Sequence, residues 1–313
     1  MNSEIKKILD EIQRVIVGKQ EIIEKILMAI LCNGHVLIDD VPGVGKTTMA
    51  VAVSRALGLD FKRIQFTPDV LPSDIVGFSM YQKHTGQFEY MPGIVNDANI
   101  LLGDEINRTS SKTQSALLEA MEEKQITVDG CTHRLKEPFI VIATQNQVGT
   151  AGTQPLPYAQ LDRFLIKLTM GYPDIESQKS IIRDRQTVNP LDGVAQISDC
   201  QKVLAMQEAV VKVTVKDDII SYITELAVAT RENAVIEFGV SPRGALAVCR
   251  MAKARAYVYG RNYVIPDDVI SIFPDVCAHR ILLNQQGKMQ RFAPQEVLLG
   301  ILQYVPVPKA LTK

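Results

Sequence analysis

The spacing of apolar residues along this chain changes near residue 170. Before it, continuous apolar runs at His35–Ile38, Ile100–Leu102 and Phe139–Ala143 alternate with stretches of helical spacing. Such runs suit strands buried on both faces of a parallel sheet, with helices packed over them. Thr113–Glu123 reads as one of those helices, with Ala116, Leu117, Ala120 and Met121 on one face. Two stretches alternate with period two instead. Phe78–Tyr81 and Gln87–Tyr90 flank His84-Thr85-Gly86, and Ile126–Thr132 is broken by Asp129-Gly130. Each predicts a β-hairpin, Asp-Gly being a strong tight-turn signal. After Tyr172-Pro173 the spacing is helical throughout, in segments near 174–186, 198–211, 216–231, 243–257 and 295–304. Turns are expected at Asn189-Pro190 and Ile265-Pro266. The pattern therefore predicts an α/β core over residues 1–171 and an all-helical domain over 172–313.

Composition narrows the class. The chain has 313 residues, 46% of them apolar and 22% charged, the profile of an ordinary globular protein. A net charge of −1 gives no electrostatic argument for nucleic acid or an anionic membrane surface. Neither a signal-peptide apolar core nor an 18-residue apolar run occurs, so a cytosolic protein without membrane insertion is expected. Cys32, Cys131, Cys200, Cys249 and Cys277 are odd in number and scattered, which predicts reduced thiols. The four histidines lack metal-ligand spacing and read as structural or surface residues.

Chemistry concentrates at the ends of the predicted strands. Val36–Ile38 leads into Asp39-Asp40-Val41-Pro42-Gly43-Val44-Gly45-Lys46-Thr47-Thr48, followed by an Ala-rich helical segment. Strand, glycine loop and helix in that order predict a phosphate-binding loop. Gly43 and Gly45 let backbone N–H groups turn toward phosphate oxygens, with Val44 between them. Lys46 adds a cation for the β/γ-phosphates, Thr47 a hydroxyl for Mg²⁺, and Thr48 continues the helix start. Asp40 occupies the position of the first glycine in G-x-x-x-x-G-K-[ST], where a carboxylate must turn away from phosphates.

The second run ends in Asp104-Glu105. Beside a phosphate loop, Asp104 can hold Mg²⁺ and Glu105 can polarise the attacking water, though strand-end acids also serve as caps. Asn146, ending the third run, can bond that water or the γ-phosphate. Arg163, in Leu161-Asp162-Arg163-Phe164, can neutralise charge on a γ-phosphate or form a surface ion pair. Ser241-Pro242-Arg243 predicts a helix start with Arg243 in the first turn. The helix dipole disfavours a cation there, which calls for an anionic partner, a phosphate or a carboxylate.

Val17-Gly18-Lys19, Val41–Thr48, Leu102–Arg108, Ala143–Asn146, Leu161–Phe164 and Ser241–Arg243, taken in order, resemble AAA+ ATPases. Phe66–Asp69, Leu71–Ile75, Asp104–Arg108, Gln114–Gln125 and Gln160–Leu165 narrow the resemblance to the MoxR family, over nearly the whole chain. It implies a core with a helical lid, and ATP and Mg²⁺ as cofactors. The nucleotide site it implies takes in Val17, Gly18 and Gly43–Thr48, with Asp104 and Thr47 on the metal. Glu105, Asn146 (sensor 1), Lys46, Arg163 (arginine finger) and Arg243 (sensor 2) complete it. It implies a homo-oligomeric ring, usually a hexamer, acting on a protein client, with proteins bearing a von Willebrand A domain among the expected partners. The two hairpins are expected to line the pore or to extend the sheet. The stretch 147–153 is less acidic than the loop usual after sensor 1. Alternative readings are a nucleotide-binding scaffold with little hydrolysis, suggested by Asp40, and a magnesium-chelatase-type motor subunit. A DNA-handling ring finds no helix-turn-helix, zinc module or basic stripe to support it.

Overall fold

A computed structural model describes residues 1–146, 153–184, 186 and 189–308. The departure noted over 147–153 thus lies almost wholly outside the described residues.

Five parallel strands form the central sheet: β1 (His35–Asp39), β2 (Phe61–Gln65), β5 (Ile100–Asp104), β8 (Ile140–Gln145) and β9 (Phe164–Leu168), in spatial order β2-β5-β8-β1-β9. The apolar runs are continuous because successive residues serve different cores. Val36, Ile38, Ile100, Leu102, Ile140 and Ile142 enter one buried cluster, while Leu37, Leu101 and Val141 enter another. Helices α1 (Ser3–Gln13), α2 (Gln20–Leu31) and α3 (Lys46–Leu57) cover the first face. The short α4 (Pro72–Val76) and α5 (Ser111–Glu123) cover the second. Ser110 caps α5 by accepting from the Thr113 N–H.

Both expected hairpins form. Strands β3 (Gly77–Gln82) and β4 (Gln87–Pro92) pair antiparallel, as do β6 (Gln125–Val128) and β7 (Cys131–Arg134). Asp129 and Gly130 both take positive φ, 49° and 80°, as a tight turn matching strand twist demands. Tyr90 on β4 stacks on His133 of β7 at 3.9 Å, so the two hairpins lean together.

After a short α6 (Tyr158–Leu161), the chain continues through α7 (Ile175–Asp184), α8 (Cys200–Val211), α9 (Asp217–Glu232), α10 (Pro242–Val258), α11 (Pro266–Cys277), α12 (Gln285–Met289) and α13 (Pro294–Tyr304). This half is not purely helical, since β10 (Ile236–Phe238) pairs with β11 (Leu282–Leu283). Its helices join the first buried cluster through Val248, Met251, Phe273 and Val276, so apolar packing runs without a break from sheet to helical half. All five cysteines are free thiols, and no helix among the described residues is long and apolar enough to cross a membrane.

His35 pins β1 to its surroundings. Its ring contacts the Met121 carbonyl through Nε2 at 3.0 Å and accepts the Val141 N–H on Nδ1 at 2.9 Å. Burial pushes its pKa down from 6.5 to about 4. The unfolded chain therefore takes up a proton below 6.5 that the folded chain refuses until about 4. Stability is present above pH 6.5 and is lost as the pH falls toward 4, by at most about 3 kcal/mol from this residue. In urea unfolding between pH 7 and 4.5, His35→Gln is expected to flatten the fall in midpoint. An unchanged slope would remove His35 from that account.

Candidate active site

Strand β1 delivers the phosphate loop and α3 leaves it at Lys46. Gly43 and Gly45 have φ of 84° and 94°, a region closed to most side chains. A Cβ at either position would touch nothing within 4 Å, so the backbone turn alone demands glycine there.

Asp40 is buried and turns its carboxylate away from the loop. Oδ1 accepts the Val41 N–H at 2.7 Å, while Oδ2 accepts the N–H groups of Met170 at 2.5 Å and Gly171 at 2.6 Å. With its charge spread over three backbone donors, the carboxylate ties the root of the loop to the segment that leaves β9. Lys19 fastens the same segment, donating to the carbonyls of Met170 at 2.5 Å and Tyr172 at 3.0 Å. Val15, Ile16, Val17, Gly43, Val44, Tyr172 and Ile182 line a pocket of about 300 Å³ beside the loop. Gly18 has φ of 73°, and a Cβ there would lie 2.3 Å from the Ser177 hydroxyl, so only glycine lets this segment meet α7.

Lys46, Asn146 and Glu105 form a hydrogen-bonded chain at the C-terminal edge of the sheet. Lys46 Nζ donates to Asn146 Oδ1 at 2.9 Å and to the Asp40 carbonyl at 3.1 Å. Asn146 Nδ2 donates to Glu105 Oε1 at 2.5 Å, and Arg108 donates to Glu105 Oε2 at 2.9 Å. Burial pushes the Lys46 ammonium below the usual lysine range, against the pull of Asp40, Asp104, Glu105 and Asp39. Glu105 sits at φ 58°, a left-handed conformation costing about 1–3 kcal/mol for a residue with a side chain. Its N–H is held there by donation to the Thr144 hydroxyl at 2.9 Å.

Asp104 and Thr47 suit a hard cation that keeps several waters. Asp104 is buried and anchored by Arg63 Nε at 2.7 Å and by the Thr144 hydroxyl at 3.3 Å. The Thr47 and Thr48 hydroxyls have no hydrogen-bond partner among the described residues, and Thr47 begins the helix beside Lys46. One carboxylate and one hydroxyl match Mg²⁺, which takes its remaining ligands from water and phosphate oxygens. No cluster of three or more His, Cys, Asp or Glu residues able to build a protein-only cage occurs among the described residues.

The two arginines are elsewhere. Phe164, the first residue of β9, pairs with His35, the first residue of β1. Arg163 therefore lies at the N-terminal edge of the sheet, while the phosphate loop leaves the opposite edge. A five-residue strand separates those edges by roughly 16 Å. Arg163 Nε pairs with Glu122 Oε2 at 3.1 Å. Arg243, in the first turn of α10, pairs with Glu122 Oε1 at 2.9 Å and Asp162 Oδ2 at 3.6 Å. Carboxylates thus answer the helix-dipole penalty at Arg243, and Ser241 caps the helix as its sequence predicts, accepting the Gly244 N–H at 3.1 Å. Lys46, Asp104, Glu105 and Asn146 are brought together; Arg163 and Arg243 are brought to each other, away from them.

Residues 35–166 match the family described as ATPase family associated with various cellular activities (AAA), and residues 228–298 match the AAA lid domain. The chain is 39% identical to Chaperone MoxR1 of Mycobacterium tuberculosis over 97% of its own length and 82% of that protein. It is 29% identical to Protein MoxR of Methylorubrum extorquens, covering 95% and 93% of the two chains. The chain belongs to the MoxR family of AAA+ ATPases. The Bacillus subtilis protein YeaC is 46% identical over 96% of this chain and 94% of its own. A solved structure of a candidate ATPase from Cytophaga hutchinsonii superposes with a TM-score of 0.89 at 39% identity, covering 98% of this chain and 95% of that one.

Four residues of this MoxR-family site escape the sequence pattern. Arg63 comes from an edge strand whose alternation is too polar to announce it. Glu122 and Asp162 read as ordinary surface acids until both arginines are seen on them. Thr144 alone carried a signal: it is a polar residue among the buried apolar residues of its strand, where a hydroxyl needs a partner.

Proposed function

We propose that this protein hydrolyses ATP with Mg²⁺ in a homo-oligomeric, usually hexameric, ring and uses the cycle to remodel a partner protein. The observation that carries the reading is the separation of Arg163 and Arg243 from the subunit's own phosphate loop by the length of β1. Two guanidiniums that cannot reach their own γ-phosphate can serve one held by the adjacent subunit, which makes a ring the working form.

Within one subunit, Lys46 and the loop N–H groups hold the phosphates, with the pocket beside Val17 and Gly18 receiving the base. Thr47 and Asp104 would hold Mg²⁺, which supplies charge neutralisation at the β/γ-phosphates when bound. Glu105 takes the proton of the attacking water, and Asn146, bonded to it at 2.5 Å, fixes its orientation. The case for a non-hydrolysing scaffold loses its motive, because the Asp40 carboxylate is occupied by the N–H groups of Val41, Met170 and Gly171.

The β3–β4 hairpin exposes Phe78, Tyr81 and Phe88, with Tyr81 and Phe88 edge-to-face at 5.4 Å. Exposed aromatic rings on a hairpin support contact with an extended client, of which von Willebrand A domain proteins are the class the family resemblance names. Purified chain is expected to release phosphate from ATP in the presence of Mg²⁺. Lys46→Ala, which deletes the loop's only side-chain cation, should abolish tight ATP binding in a nucleotide titration. Wild-type affinity in that variant would remove Lys46 from the site.

A further inference from the structure

Glu122 stands near the end of α5, its two oxygens divided between arginines from different halves of the chain. Oε2 meets Arg163 Nε at 3.1 Å, from the turn before β9, and Oε1 meets Arg243 Nη1 at 2.9 Å, from the first turn of α10. Asp162 takes Arg243 Nε at 3.6 Å and is itself fixed by Arg280 Nε at 2.6 Å. Arg280 is buried and further tied to the carbonyls of Phe164 and Leu165. Three guanidiniums meet two carboxylates, so the ion-paired set keeps one net positive charge. Without Glu122 the two outer arginines would repel each other. Arg163 would then have to be ordered during the reaction, at a cost in rotamer freedom, and Arg243 would be held by Asp162 alone.

We propose that Glu122 is a positioning residue that presents Arg163 and Arg243 as one unit to the terminal phosphate held by the adjacent subunit. This rests on the trans reading of the arginines given above. Glu122 also makes the step depend on how the lid sits against the core, because its partners come from both.

Steady-state kinetics of Glu122→Ala test this. The variant should lose roughly tenfold or more in kcat, with KM for ATP within about twofold of wild type and an unchanged melting temperature. Glu122→Gln, which keeps the size and one acceptor, should fall between and carries the test if the alanine variant misfolds. Unchanged kcat would mark an ordinary surface ion pair; raised kcat would mark a clasp that withholds the arginines. Either overturns the proposal.

Mixed rings separate it from a structural role. Adding Lys46→Ala subunits to Glu122→Ala subunits should restore activity, because an intact arginine pair then faces an intact nucleotide site. Adding Arg163→Ala subunits should not, because both defects then lie on the arginine-donating side. The opposite pattern overturns the proposal. A fully active Arg163→Ala variant would instead sink the trans reading itself. An inactive Arg163→Ala beside a fully active Glu122→Ala sinks only the role of Glu122.

Discussion

Arg163→Ala is expected to leave ATP binding to a subunit nearly intact while lowering turnover by roughly 10³-fold or more. Binding is spared because the phosphate loop, Lys46 and Thr47 lie at the far end of β1 from Arg163. Turnover falls because a guanidinium placed on the γ-phosphate of a neighbour stabilises charge that spreads over its oxygens in the transition state. A 10³-fold loss corresponds to about 4 kcal/mol. Breaking the Arg163–Glu122 pair as a surface contact would instead cost only about 0–1 kcal/mol of stability and nothing in turnover. Parallel measurement of nucleotide affinity and phosphate release decides between the two. Wild-type release by the variant would return Arg163 to the ranks of surface ion pairs.

Glu105→Gln should trap ATP. Lys46, Thr47 and Asp104 are untouched, so nucleotide and Mg²⁺ are still held, but the amide cannot take a proton from water. It also meets two donors, Asn146 Nδ2 and Arg108 Nη1, where the carboxylate accepted both. Loss of a general base is worth roughly 10²–10⁴ in rate. The variant should therefore retain ATP through gel filtration while releasing phosphate at that reduced rate. Weak binding together with normal turnover would place the catalytic carboxylate elsewhere.

The strands that carry this chemistry were legible because burial on both faces leaves long apolar runs, and polar residues at their ends then stand out. Both hairpins were legible from turn chemistry, Asp129-Gly130 most plainly. What escaped depends on contacts distant in sequence or on context around a single residue. Strand β2 was missed because Lys62 and Arg63 are exposed on a sheet edge, which removes the apolar run that betrays an inner strand. Helix α11 hid behind Ile265-Pro266, read as a turn. Pro266 is its first helical residue, and Asp268, buried and paired with Arg255 and Arg261, accepts the Ile265 N–H at 2.9 Å to cap it. The role of Asp40 could not be read from the motif, because two of its three backbone donors lie 130 and 131 residues away. The same holds for Arg243: its anionic partner was expected, but a carboxylate shared with Arg163 becomes visible only once the lid is packed on the core.

Assembly of one site from two subunits is tested most directly by mixing two inactive variants. Lys46→Ala subunits keep their arginines but lose the phosphate loop, and Arg163→Ala subunits keep the loop but lose the finger. With co-assembly shown by a tag on one variant, a mixed ring places an intact Arg163 beside an intact Lys46 site at some interfaces, and ATP hydrolysis should return there. If co-assembled rings stay as inactive as either parent, Arg163 does not act across the subunit boundary.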